Sequence, residues 1–121
     1  MTEKTENAPR KPMVFVPQVP STYEKLTNLW IPKISLLSAA RFGTLTVLLP
    51  PGANRAAVGQ IAIAMREGLK DALPGDYLLP TGDPALIALA SIYLARRTGQ
   101  EFRLLKWDNR ANDYIPMEIT L

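Results

Sequence analysis

Proline and glycine cut this chain into alternating blocks of strand and helix character, and that alternation restricts its fold more than any other feature. Thr44-Leu-Thr-Val-Leu-Leu49 is β-branched and apolar and is halted by Pro50-Pro51-Gly52, as expected of a buried strand. A helix is predicted from about Arg55 to Leu73, with Asn54 as its N-cap. There Val58, Ile61, Met65 and Leu69 recur at helical spacing, while Arg66, Glu67, Lys70 and Asp71 gather on the other side. Pro74-Gly75 closes it, and Asp76 to Pro80 supplies a second short strand around Tyr77-Leu78-Leu79. Thr81-Gly82-Asp83-Pro84 then turns the chain into another helix, with Asp83 as cap and Pro84 in the first turn.

That helix, about Pro84 to Arg97, is apolar nearly all round, so it is expected to be covered on most sides by the sheet or by a partner subunit. Gly99 stops it, Phe102 to Trp107 forms a third strand, and Tyr114 to Leu121 forms a fourth after the turn Asp108 to Asp113. Strands alternating with helices imply parallel neighbours joined by right-handed crossovers. The tight turn makes the last strand antiparallel to the one before it.

The N-terminal third reads differently. Val14-Phe15-Val16 is strand-like, but Pro17 and Pro20 argue against a central position and favour an edge or polyproline-like arm. Leu29 to Ile34 mirrors it across Ser21 to Asn28, so the two can form a proline-bearing hairpin. Ser35 to Phe42 suggests a helical turn ending at Gly43. The expectation is therefore an α/β fold, a small β-β-β-α-β-α-β-β domain. Its central strands are parallel, its C-terminal strand is antiparallel, and an N-terminal β arm spans residues 12–35. Residues 1–11 are expected to be a disordered tail, and 12–121 a single domain.

The chain has 121 residues, enough for a real core, with 47% hydrophobic and 21% charged residues and a net charge of +3. A mildly basic balance permits a nucleic-acid partner. There is no cysteine and no histidine. Disulfides, thiol nucleophiles, histidine-based triads and ordinary zinc sites are thereby excluded. No apolar run is long enough to span a membrane, and no signal-peptide core follows the polar N-terminus. The setting expected is cytoplasmic.

Three constellations carry candidate chemistry. Thr81 and Gly82 lie where a strand end meets a helix start, a place where backbone N–H groups attract anions, although Asp83 already caps that helix. Asn54 and Arg55 lie in the loop after the first parallel strand, on the same rim, and Arg55 can pair with a phosphate. The loop lacks the Gly-Lys-Ser/Thr ending of a Walker motif. The third group is Arg103, Lys106, Trp107 and Arg110, with Tyr114 beyond and Arg96 and Arg97 at the preceding helix end. Arg103 and Leu105 face one side of their strand and Lys106 the other. Trp107 near a strand end can stack a base, worth ~1–3 kcal/mol. Core packing for Trp107 and helix-end stabilisation for the two arginines are the competing structural readings. Asp108 and Asp113 bracket a turn, where aspartate commonly bonds locally. No catalytic residue, metal site or cofactor is expected.

The runs Thr44–Leu49, Pro50-Pro51-Gly52, Gly82-Asp83-Pro84, Leu104-Leu-Lys-Trp-Asp108 and Tyr114-Ile-Pro-Met-Glu118 resemble a family of small early or replication-region proteins of tailed bacteriophages. One branch of that family is similar to non-canonical single-stranded-DNA-binding proteins. The resemblance covers roughly Met13 to Leu121. It implies non-enzymatic binding of single-stranded DNA, or another nucleic acid, in phage replication or transcription. Leu45 to Glu118 also resembles the small CRISPR-associated α/β domains that bind or cleave cyclic oligoadenylates, through Thr81-Gly82-Asp83-Pro84 and Trp107-Asp108. Those domains use a histidine that this chain lacks, which counts against cleavage and leaves nucleotide binding open. The alternatives are thus a cyclic-oligonucleotide-binding anti-defence protein or ring nuclease, and an adaptor that grips a host protein through the β arm. The apolar helix and the arm suggest a homo-oligomer.

Overall fold

The structure is a computed structural model that describes residues 10–53 and 56–121. The expectations for residues 1–9, and for Asn54 and Arg55, fall outside the described residues. The elements run β1 (Met13–Gln18), β2 (Ser21–Glu24), β3 (Leu29–Pro32), α1 (Leu37–Ala40), β4 (Thr44–Leu49), α2 (Val58–Gly68), β5 (Tyr77–Leu78), α3 (Pro84–Arg97), β6 (Glu101–Asp108) and β7 (Asp113–Thr120). Five strands form one sheet in the order β4-β1-β5-β6-β7, and β2 and β3 form a separate antiparallel hairpin. β4, β1, β5 and β6 are mutually parallel, while β7 returns antiparallel along β6. The fold is mixed α/β, as the alternation of blocks implies.

The sheet separates two apolar layers, because alternate side chains of a strand point to opposite faces. Phe15, Leu48, Leu78 and Phe102 meet Ile61, Met65 and Leu69 of the α2 region and Leu86, Ala90 and Leu94 of α3. Val14, Val16, Tyr77, Leu79 and Leu105 meet Ala39 of α1 on the other face, which a single helical turn covers only in part. α3 buries one stripe and leaves Ile92 exposed, so within the chain it is covered on one side rather than on most sides. α2 is shorter than its periodicity suggests, because the buried Leu69 and Ala72 continue in turns instead.

β1 departs most from expectation. It is an interior strand, lying between β4 and β5, with Val14 and Val16 fully buried. The hairpin accordingly pairs β2, not β1, with β3, in the register Tyr23↔Trp30. Pro17 is tolerated for a geometric reason. In a parallel strand alternate residues bond to opposite neighbours. The amide of Leu79 donates to the carbonyl of Phe15, so position 17 also faces the β5 side. β5 ends at Leu78, and the Leu79 carbonyl, which a residue-17 N–H would have served, accepts instead from the amide of Thr81 at 2.8 Å. Pro17 therefore ends the β1–β5 ladder without leaving an acceptor unserved.

The two sheet edges differ. Pro116 lies on the outer edge of β7, and the Tyr114 carbonyl beside it accepts from Arg41. Proline and charge blunt an edge against further pairing. β4 carries neither proline nor charge, and Val47 on it is exposed.

Candidate functional site

The chain reverses its direction of strand addition between β1 and β5: β4 is laid to one side of β1, and β5 and β6 to the other. In open α/β sheets ligands enter the crevice beyond the carboxyl ends of the strands at such a switch. Pro17 releases β5 from β1 at this point, and a cavity of about 340 Å³ opens, lined by Gln18, Ser21, Trp30, Lys33, Gly82 and Asp83 among others. Its walls are held by specific bonds. The Gln18 amide, almost fully buried, donates to the Pro50 carbonyl at 2.9 Å and so ties the end of β1 to the loop after β4. Gly82 has φ +110°, and a Cβ there would come within 2.8 Å of the Gln18 carbonyl, so this turn requires glycine. Asp83 caps α3 by accepting from Ala85 N–H at 2.9 Å.

On the α1 face, immediately beyond the same turn, lies a larger groove of about 730 Å³. Its lining includes Ser35, Ser38, Thr81, Leu105, Trp107 and Tyr114. Trp107 and Tyr114 oppose each other across β6 and β7, with rings 5.0 Å apart in an edge-to-face arrangement. The Trp107 indole N–H donates to Asn109, and 42% of the residue is exposed. Burial pushes the Tyr114 phenol above its ordinary range. Arg41 bonds Asp113 at 2.7 Å and links the α1 region to the start of β7.

The residues singled out from sequence divide between the two ends of the sheet. Thr81, Lys106, Trp107 and Tyr114 line the groove, and Gly82 lines the adjoining crevice. Arg110 is exposed in the turn beside Trp107. Arg103, Arg96 and Arg97 are not brought to this site. Arg103 sits at the opposite end, where it donates to the Tyr77 hydroxyl at 2.6 Å and faces Glu118. Arg97 donates to the carbonyl of Lys70, at the C-terminus of α3. Asp108 and Asp113 serve their turn, accepting from the amides of Ala111 and Tyr114. Ser35, Ser38, Gln18 and Lys33 were not foreseen, since only the path of the chain across the sheet brings them here. Among the described residues no group of three or more acidic, histidine or cysteine side chains is gathered to hold a metal ion.

The strand order defines an open α/β protein, and two cavities lie at its switch point. Residues 12–121 match the family model described as Phage Pam3 gp32-like protein, and the chain belongs to that bacteriophage family. No curated protein and no solved structure matched the chain. Among the described residues no helix is long and apolar enough to cross a membrane.

Proposed function

We propose that this phage protein binds single-stranded nucleic acid without catalysis, in replication or transcription in the host cytoplasm, by seating a base in the groove on the α1 face. One observation carries the reading. Trp107, half exposed and braced edge-to-face by Tyr114, stands in the wall of a large apolar groove. Such a platform stacks any base, and the hydroxyls of Thr81, Ser35 and Ser38 give its edge hydrogen-bonding partners. Lys33, Lys106 and Arg110 supply charge at this end of the sheet. Three phosphate contacts correspond to a salt slope of about −2, a shallow dependence. The homo-oligomer is a separate proposal and rests on the open, uncharged β4 edge, which suits pairing with a second copy.

The test is a salt-titrated binding assay against a ~30-nucleotide DNA strand, duplex DNA and RNA, with mass measurement of the free protein. Binding to the single strand that falls with Trp107→Ala is the expected result. Absence of strand binding, or strand affinity untouched by Trp107→Ala in a folded protein, overturns the reading. Tight, salt-insensitive capture of a cyclic oligonucleotide instead would assign the groove to that ligand.

A further inference from the structure

The chain has two tryptophans, and the fold treats them alike. Trp30 faces Tyr23 across the β2–β3 hairpin, with rings 5.2 Å apart. Trp107 faces Tyr114 across the β6–β7 hairpin at 5.0 Å. Each tryptophan is 42% exposed and lines a cavity at the carboxyl end of the sheet. The two cavities flank one turn, with Thr81 lining the groove and Gly82 lining the crevice.

The hairpin is also fixed in place over the crevice. The Lys33 amide donates to the Pro20 carbonyl at 2.7 Å and closes its base. The Trp30 ring rests against Gly52, where a Cβ would come within 3.1 Å of it. Directly opposed residues of an antiparallel pair share a face, so Tyr23 and Trp30 act as one surface. Cations lie nearby: Lys33 lines the crevice with Trp30, Arg110 is exposed in the turn that follows Trp107, and Lys106 borders the groove from a strand position that alternates with Trp107. Aromatic faces alternating with cations match the alternation of bases and phosphates along a strand. A lone nucleotide would satisfy only one of the two platforms.

From this arrangement, and resting on the proposed base-binding role of the groove, we infer that the Tyr23–Trp30 pair is a second base platform. The ligand is then an oligonucleotide that crosses the Thr81–Gly82 turn, with one base stacked at Trp107 and another at Trp30. The arm is thus part of the nucleic-acid site.

Trp30→Phe and Trp107→Phe leave proteins with a single indole each, and their fluorescence separates the platforms. Each is titrated with oligothymidylates from a mononucleotide to about ten nucleotides, the size range of known single-strand sites. The Trp107 signal should respond to the shortest ligands that bind at all. The Trp30 signal should respond only above a threshold length. At that threshold the affinity of the native protein should rise at least about fivefold, the low end of one stacked base, and Trp30→Ala should abolish the rise. If strands of every length quench Trp107 and leave Trp30 unmoved, the second platform is refuted while the groove assignment stands. If the rise persists in Trp30→Ala, the second platform is likewise refuted. If neither indole responds to any strand, both readings fall together.

Discussion

The two ends of the sheet use polar side chains in opposite ways. At the amino end, Asp76 is almost fully buried and accepts four hydrogen bonds. Two come from Arg10, at 3.2 and 2.7 Å, one from the Met13 amide and one from the Leu73 amide. This carboxylate joins the start of β1 to the chain entering β5, and it holds the Arg10 guanidinium still more firmly protonated than usual. Arg103 and Arg97 are likewise committed, to Tyr77 and to the Lys70 carbonyl. At the carboxyl end the aromatic rings are half exposed, two cavities are open, and Lys106 and Arg110 face solvent. Arginine at one end serves the fold, and aromatic residues at the other are available to a ligand.

That contrast can be broken experimentally. The largest effect should come from Asp76→Ala, which strips the partner from two backbone donors and a guanidinium. A loss of about 3 kcal/mol in stability is expected, at ~1–3 kcal/mol per orphaned buried group. Chemical denaturation measures it, and strand affinity of the protein that remains folded should not change. Gly82→Ala should cost about 2 kcal/mol, the strain of a non-glycine residue at this φ, and it should also weaken binding because the Thr81–Gly82 turn joins both cavities. A Gly82→Ala protein as stable and as active as the native one would show that the turn is not a constraint.

Trp107→Ala should reduce strand affinity about tenfold, within the ~1–3 kcal/mol of one stacked base, with little change in melting temperature. Arg103→Ala should do the reverse. A cost of about 1 kcal/mol is expected from its charged hydrogen bond to Tyr77, with affinity for a single strand unaltered. If Arg103→Ala weakens binding as much as Trp107→Ala does, the division between the ends collapses. The smallest effect concerns Tyr114. Its phenol is raised in the folded state, so the neutral form is favoured by folding. The corresponding stability is fully present below the unfolded tyrosine range and is lost as pH climbs through the folded value. An ultraviolet titration should show a tyrosine that ionises above the ordinary range, and Tyr114→Phe should remove that component.

The α/β alternation, the two larger helices, the caps at Asp83 and Gly99 and the β6–β7 hairpin were all legible in the sequence, because each depends on residues close together in the chain. Trp107 and Tyr114 were visible for the same reason, since one hairpin carries both. The interior position of β1 was not. Two prolines argued against β1 there, and only its neighbours resolve the matter: β5 stops where Pro17 would have failed it, and the Leu79 carbonyl turns to Thr81. Ser35, Ser38 and Lys33 could not be assigned to a site from local pattern, since they reach it by crossing a face of the sheet.

By itself, then, the sequence determined the class of fold, through hydrophobic period and turn chemistry, and the presence of an aromatic, basic hairpin. It also excluded histidine and thiol chemistry outright. The tertiary structure decided which arginines are occupied, that β1 lies inside the sheet rather than at its edge, and that two tryptophans 77 positions apart stand on either side of one turn. Local propensity acts over a few residues, whereas strand order and side-chain convergence are settled by long-range pairing and burial, which no short segment encodes.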